Sequence, residues 1–447
     1  MSPGEAREWI AGLQILGMRL GLERIRALLG ALGDPQGRAP AVHVVGTNGK
    51  SSTASLAAAA LASQGLRPGA YLSPHIDDWT ERIQLGGAPL GDDAFAEAAT
   101  AVRGAADGPA LPPGDPVTQF EALTAIAFWA FRRGGVEAMA IEAGLGGRWD
   151  ATNVLQPQSA VILTNVALEH TEFLGDTEAA IAEEKLAVCA DGSDRLVVGP
   201  LSPRARRAVD AELARRGISA VRYGEGLVAG GDGPLVAVET PRARYEGLPL
   251  RLRGAFQRHN LAVALAGVEL VVGGPLEVEP LRRAIAGVHM PGRLEVVPGA
   301  PVVVLDGAHN PAGVETLVAE LAGIQAGAGP VVAVVSVLDY KDAAGMVAAL
   351  APAADLLVAT RSSHPRAAAP ARLAALARDE GTAAVVVDAP AAALARAREE
   401  AGPGGTVVVA GSLYLLADLR PRVLPAGLEP PARLAPARQG DRPPERI

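Results

Sequence analysis

The stretch VVGTNGKSS at residues 44–52 constrains this chain more than any other. An apolar, β-branched run (AVHVVG, residues 41–46) closes on Gly46-Thr47-Asn48-Gly49, and an Ala-rich run over 52–64 follows Lys50-Ser51. A buried strand that turns through glycines straight into a helix belongs to a parallel sheet covered on both faces. The turn can aim backbone N–H groups at an anion, and the helix N-terminus adds a favourable field. Lys50 supplies a point charge, and Ser51 or Ser52 a hydroxyl for Mg²⁺. The usual G-x-x-x-x-G-K-[ST] spacing would need glycine at position 44, where Val44 stands, so this is the shorter form G-T-N-G-K-S.

The rest of the chain repeats that alternation. Residues 138–144 (AMAIEAG), 160–165 (AVILTN) and 196–199 read as further buried strands, with helices such as 119–132 between them. A second series follows His289-Met290-Pro291-Gly292-Arg293: strands over 301–306, 330–337, 355–360, 383–388 and 406–411, separated by helix-length segments. Five strands with four crossovers make a self-contained Rossmann-like domain. The expected organisation is α/β, with a phosphate-loop domain of parallel-rich sheet over 1–296 and a Rossmann-like domain over 297–424. A flexible tail rich in Pro and Arg is expected over 425–447.

Composition excludes several classes. The 447 residues are 49% hydrophobic and 20% charged, which supports a large core. A net charge of −8 and 3% aromatic residues argue against a nucleic-acid partner. No apolar run reaches the ~18 residues of a membrane span, and the N-terminus shows no secretory pattern. Cys189 is the only cysteine, so no intrachain disulfide can form and a reducing cytoplasm is expected.

Several polar residues sit where strands of such a sheet end. Glu142 closes the 138–144 run and faces the crevice in which ligands of a parallel sheet bind; its carboxylate suits Mg²⁺. His170 lies just past the next strand, on the same sheet edge. Asp176 or Thr177 can cap a helix running to about residue 190 that carries Lys185. On the residues alone Lys185 reads as an exposed helix lysine beside glutamates, and Ser73 as a turn residue. Thr118 reads as a helix cap and Phe120 as a core ring. Arg82 suits a substrate carboxylate or a surface ion pair equally, and Arg293 reads as a linker charge. Asp306 ends a strand before the tight turn Gly307-Ala308-His309-Asn310-Pro311.

The shortened loop resembles that of the Mur-type ATP-dependent amide ligases. Gly21-Leu22-Glu23-Arg24-Ile25 before it, and Leu72-Ser73-Pro74-His75 with Glu81-Arg82-Ile83 after it, narrow the resemblance to the folylpolyglutamate synthase/dihydrofolate synthase family, over residues 21 to about 418. The resemblance implies a Mur-ligase central domain followed by a glutamate-ligase domain. It implies an ATP-dependent enzyme that adds L-glutamate to a folate, or to dihydropteroate, through an acyl phosphate.

The resemblance also assigns residues. It implies that Thr47, Asn48, Gly49, Lys50, Ser51, Ser52, Asn260, Arg293 and Asp306 contact ATP, and that Ser73, Glu142 and His170 hold metal. It implies a CO₂-carbamylated Lys185, with Lys50, His170 and Lys185 catalytic. Leu22, Glu23, Arg24, Thr118, Phe120 and Arg82 would line the folate or pteroate site, and His309 would neighbour the glutamate site. Two Mg²⁺ ions are expected, with K⁺ or another monovalent cation as a further candidate, in a monomeric enzyme. The chain departs from the family at Glu169, where Asp is usual, and at Phe256, where His is usual. The alternatives are another Mur-type ligase, for which the 45 residues before Gly46 leave no room for a uridine-binding domain, or a nucleotide-dependent regulatory protein.

Overall fold

The computed structural model describes residues 1–13, 19–111, 114–156, 159–231, 233–324 and 329–424. The tail expected over 425–447 lies outside the described residues. The chain divides into two compact units. The first comprises 1–251 and 256–288, and the second begins with 252–255 and resumes at His289.

The first unit is built on an eleven-stranded sheet. In chain order its strands are β1 (Ala41–Val45), β2 (Pro68–Tyr71), β3 (Ile83–Leu85), β4 (Ala88–Pro89), β5 (Ala138–Glu142), β6 (Ala160–Leu163), β7 (Leu196–Val198), β8 (Ala220–Tyr223), β9 (Gly226–Gly230), β10 (Leu235–Glu239) and β11 (Arg244–Pro249). Their order across the sheet is β11-β10-β9-β8-β7-β6-β1-β5-β2-β3-β4. The run from β8 to β2 is parallel, as the buried apolar runs predict. Antiparallel strands extend both edges. The sequence reading did not reach β2 or β8–β11. β2 is a four-residue strand opening Pro68-Gly69, and β9 and β10 alternate buried with exposed residues instead of running apolar.

The second unit carries β12 (Glu295–Val297), β13 (Val302–Leu305), β14 (Val331–Val335), β15 (Leu356–Ala359), β16 (Ala383–Val386) and β17 (Thr406–Ala410). Their order is β12-β13-β17-β14-β15-β16, parallel except for β12. β12 pairs antiparallel with β13, and the second unit resumes at His289, before the expected boundary at residue 297.

In the first unit β1 lies between β5 and β6, with Val44 opposite Glu142 and Val45 opposite Leu163. That register sets the loop after β1 between the C-terminal ends of its neighbours. A parallel sheet places its ligand crevice at such a point, where crossovers leave in opposite directions.

Candidate active site

The helix after β1 spans Lys50–Ser63, and Gly49 caps it at φ 83°. A side chain at Gly49 would be strained, and its Cβ would stand 2.7 Å from Asn260 Oδ1. Gly46, at φ 147°, has no room either, because its Cβ would overlap Thr164 Oγ1. Thr164 and Asn165, at the end of β6, hold the loop in place. Thr47 N donates to Asn165 O at 3.1 Å, Asn48 N to Asn165 Oδ1 at 2.9 Å, and Thr164 Oγ1 to Asn48 O at 2.7 Å. Thr47 Oγ1 bridges both polar groups of Ala167. Two lysines rest on the loop carbonyls. Lys50 Nζ donates to Gly46 O and Thr47 O, each at 3.0 Å, and Lys185 Nζ to Gly46 O at 2.9 Å.

Lys185 departs furthest from what its residues alone suggest, an exposed helix lysine. It is 2% exposed, on the helix Glu178–Leu186 that Thr177 caps. Burial, reinforced by the Lys50 charge, lowers its pKa to about 7, while Glu169 and Asp150 oppose the shift. An amine that loses its proton near neutrality can act as a nucleophile. The loop after β5 braces this helix. Arg148 N donates to Glu184 O at 3.0 Å, its guanidinium pairs with Glu184 and Glu183, and Gly147 lies flush against the 184–185 backbone.

Glu142 ends β5 and is 1% exposed. Ser51 Oγ donates to its Oε1 at 2.9 Å and Ser73 N to its Oε2 at 2.7 Å. Carboxylate and hydroxyl oxygens gathered beside a phosphate loop are hard donors of the kind Mg²⁺ takes. His170 takes a left-handed backbone (φ 50°), and its Nε2 stands 3.6 Å from Glu169 Oε1. No group of three or more His, Cys, Asp or Glu side chains that could hold a metal ion occurs among the described residues. The donor set therefore fits Mg²⁺ only where oxygens of Ser51, Ser73 and a phosphate complete the shell. Ser52 and Asn260 meet through Gln257, whose Nε2 donates to Ser52 Oγ at 3.3 Å and whose Oε1 accepts from Asn260 Nδ2 at 3.0 Å.

The residues expected at a folate site divide. Thr118 caps the helix Gln119–Arg133 in a capping box with Glu121. The Phe120 ring covers Gly144 and lies 5.9 Å from the Tyr71 ring. Leu22 is in the hydrophobic core, Glu23 is exposed and Arg24 is buried in an ion pair with Glu121. Arg82 Nε donates to His75 Nδ1 at 2.9 Å, and its guanidinium lies 5.1 Å from the Trp79 ring centre. Burial and the Arg82 charge lower the His75 pKa to about 4, which keeps this acceptor neutral.

Asp150 escaped the sequence reading. It is 5% exposed, burial raises its pKa, and it accepts from Leu145 N at 2.8 Å, Thr152 N at 3.0 Å and Thr152 Oγ1 at 2.5 Å. It thereby pins the loop between β5 and Asn153, and its position eight residues past Glu142 was its only signal.

In the second unit Asp306 is buried and accepts from Leu294 N and Ala308 N, both at 2.8 Å. Burial raises its pKa and the Arg293 charge opposes the shift. His309 Nδ1 lies 2.9 Å from Gly307 O.

Comparison with known proteins agrees with these features. The family profile described as Mur ligase, glutamate ligase domain matches residues 292–413. A folylpolyglutamate synthase of Lacticaseibacillus casei is 35% identical over 411 residues, covering 90% of this chain and 94% of its own. The solved folylpolyglutamate synthase of Mycobacterium tuberculosis, complexed with ADP and AMPPCP, superposes with a TM-score of 0.85 at 30% identity, covering 94% of this chain and 99% of that one. E. coli FolC in complex with DHPP and ADP gives a TM-score of 0.84 at 29% identity, covering 94% and 97%. A chain that matches such relatives over nearly all of their length, with its phosphate loop, buried lysine and strand-end carboxylate brought together, belongs to the folylpolyglutamate synthase/dihydrofolate synthase family of Mur ligases.

Proposed function

We propose that this chain is an ATP-dependent ligase that adds L-glutamate to a folate, and to dihydropteroate, through an acyl phosphate. The observation that carries the reading is the convergence of Lys50, Lys185, Ser51 and Glu142 on one phosphate loop. The names of the relatives, which cover both the synthase of dihydrofolate and that of its polyglutamates, support both substrates.

A carboxylate is a poor electrophile. In this reading the substrate carboxylate attacks the γ-phosphorus of ATP, and ADP leaves from an acyl phosphate. The glutamate amine then attacks the acyl carbon, loses its proton and expels phosphate. Lys50 and the loop N–H groups offset the charge that builds up as two anions approach. Glu142, Ser51, Ser73 and His170 would hold Mg²⁺, which supplies further compensation for phosphate charge. Two ions are expected, and a monovalent cation is a further candidate. Carbamylation of Lys185 by CO₂ would turn a cation into an anion near the same site; its buried, readily deprotonated amine supports that role. Phe120 presents a flat face to a pterin.

We infer further that Asn260, Arg293 and Asp306 serve ATP and that His309 neighbours glutamate, as the family resemblance implies. A monomer in the cytoplasm is the expected form. No helix among the described residues is long and apolar enough to cross a membrane.

The test is to incubate pure protein with MgATP, glutamate and either dihydropteroate or tetrahydrofolate, and to read product masses. The expected product is heavier by one or more glutamyl residues, with phosphate release that needs both acceptor and glutamate. Lys50→Ala is expected to lower turnover at least ~10³-fold. Phosphate release indifferent to both substrates would favour a nucleotide-dependent regulatory protein instead.

A further inference from the structure

Arg24 lies in the segment that the resemblance assigns to the pteroate pocket, yet its side chain is 8% exposed and its donors point into the protein. Nε donates to both oxygens of Glu121, at 3.1 and 3.2 Å. Nη2 donates to Arg19 O at 2.8 Å, and Nη1 reaches Asp115 Oδ2 at 3.5 Å. Asp115 is held in turn by Arg19 Nη1 at 2.7 Å. The guanidinium therefore ties residue 19, the helix Glu23–Ala31, residue 115 and the helix Gln119–Arg133 together.

Glu121 passes this order on. Its Oε2 accepts from Thr118 N at 2.7 Å, and its own N donates to Thr118 Oγ1 at 3.3 Å. These two bonds fix the first turn of the helix, where Phe120 stands between Thr118 and Glu121. The Phe120 ring then covers Gly144, two residues past Glu142, so closely that no Cβ would fit there. Thr124 Oγ1 donates to Phe120 O at 2.8 Å and reaches the Tyr71 hydroxyl at 3.3 Å, which closes the cluster from the next turn. A buried carboxylate that shares one arginine N–H between its two oxygens and takes a main-chain N–H as well has little freedom to move. A ring whose helix turn is set by that carboxylate inherits the constraint.

We propose that Arg24 is a positioning residue for the pteridine-type ring of the substrate: it acts through Glu121 and the Thr118 cap to set Phe120, and does not touch the substrate. This deepens, and rests on, the reading of Phe120 as the stacking surface.

The test is a double-mutant cycle on dihydropteroate binding, measured by calorimetry, with steady-state KM values for dihydropteroate, ATP and glutamate beside it. Arg24→Lys keeps the charge but loses the fork. It is expected to raise the Kd and KM for dihydropteroate about tenfold while the KM values for ATP and glutamate stay within about twofold. Phe120→Ala is expected to weaken dihydropteroate binding by at least as much. In the Phe120→Ala background, Arg24→Lys is expected to have almost no further effect, because the residue through which it acts is gone. Effects that multiply in the double variant would overturn the proposal and make Arg24 an independent contact, as would KM values that rise together for all three substrates. If Arg24→Lys fails to fold, Glu121→Gln takes its place in the same cycle with the same expectations. Wild-type protein that ligates while the cycle multiplies sinks this inference alone; wild-type protein that binds no dihydropteroate sinks the underlying reading and this inference with it.

Discussion

Two turns in this molecule follow the same plan and are held in different ways. After β1, residues 46–49 lead into the helix Lys50–Ser63; after β13, residues 306–310 lead into the helix Pro311–Leu321. Each leaves the C-terminal end of a strand paired on both sides, where ligands of α/β sheets gather. The first turn depends on distant groups. Asn165 and Thr164 come from the end of β6, Lys185 from a helix 139 residues away, and Ser51 reaches Glu142 on β5. The second turn has side-chain bonds of its own and takes main-chain bonds from two other segments: Gly307 N donates to Gly292 O at 2.8 Å and Gly411 N to Ala308 O at 3.0 Å. Asp306 bonds Ala308 N and Leu294 N, and Asn310 Oδ1 caps the following helix at Gly313 N, at 2.7 Å. A turn assembled from many elements can gather charge from each of them. In the second turn Asp306 and Asn310 spend their oxygens on main-chain N–H groups, so each also carries a local structural load. Substitutions in the first turn should therefore register chiefly as lost chemistry, and loss of the Asn310 cap in the second as lost stability.

The largest effect is expected at Gly46. An alanine there must adopt φ near 147° and overlap Thr164 Oγ1, so the loop has to move. Gly46→Ala is expected to lower ligation at least ~100-fold, read as product formed per minute, because Gly46 O also seats both lysines. Near-normal turnover would mean that the loop tolerates displacement and that the contrast between the two turns is wrong.

Lys185 is the next case, and its pH dependence sharpens the comparison. Its pKa in the folded chain, about 7, lies below the ordinary lysine value, so the unfolded state binds more protons between those values. Stability from this group accordingly rises with pH across that window and is lowest below about 7. The free amine, the form that attacks CO₂, grows over the same range. Activity is expected to climb with pH through about 7 and to respond to added bicarbonate. Lys185→Ala is expected to lose most activity, with partial rescue by small carboxylates in solution. Full activity without an additive would remove the carbamate from the reading.

Much of this was legible in the sequence because strand ends advertise themselves. The apolar runs that became β1, β5, β6, β7 and β13–β17 stop at Gly, Glu, Thr or Asp, and in the first unit the residues just past β1 and at the ends of β5 and β6 are the ones that meet. Lys185 was not legible, since nothing in Ile181-Ala182-Glu183-Glu184-Lys185 says which face of the helix is buried. Two glutamates beside it suggest water, yet Arg148 takes both, and Lys185 turns inward. Arg24 is a second such case. Its place in the motif suggested substrate, and nothing there announced the pairing with Glu121, 97 residues away, that buries its side chain. Asp150 was passed over because its partners, Leu145 and Thr152, are main-chain groups and a hydroxyl that carry no pattern. Motifs report which residues are near a site; the direction of each side chain depends on partners far along the chain.

The smallest expected effect tests the second turn. Asn310 is 5% exposed, its backbone is extended (φ −146°, ψ 162°), and its side chain accepts from Gly313 N in the first turn of the helix Pro311–Leu321. Pro311 at the first helical position has no N–H to satisfy, so the cap serves the next open donors. Asn310→Ala removes that acceptor and leaves a partly buried N–H without it. The expected cost is about 1 kcal/mol, seen as a midpoint lowered by a few degrees in thermal unfolding followed by circular dichroism. Gly46→Ala should leave the same midpoint less affected than its turnover, since strain at a loop held by many partners is shared among them. If Asn310→Ala left the midpoint unchanged, the cap would carry no load, and the order of the second turn would rest on Asp306 and on its main-chain bonds to Gly292 and Gly411, closer to the way distant groups hold the phosphate loop.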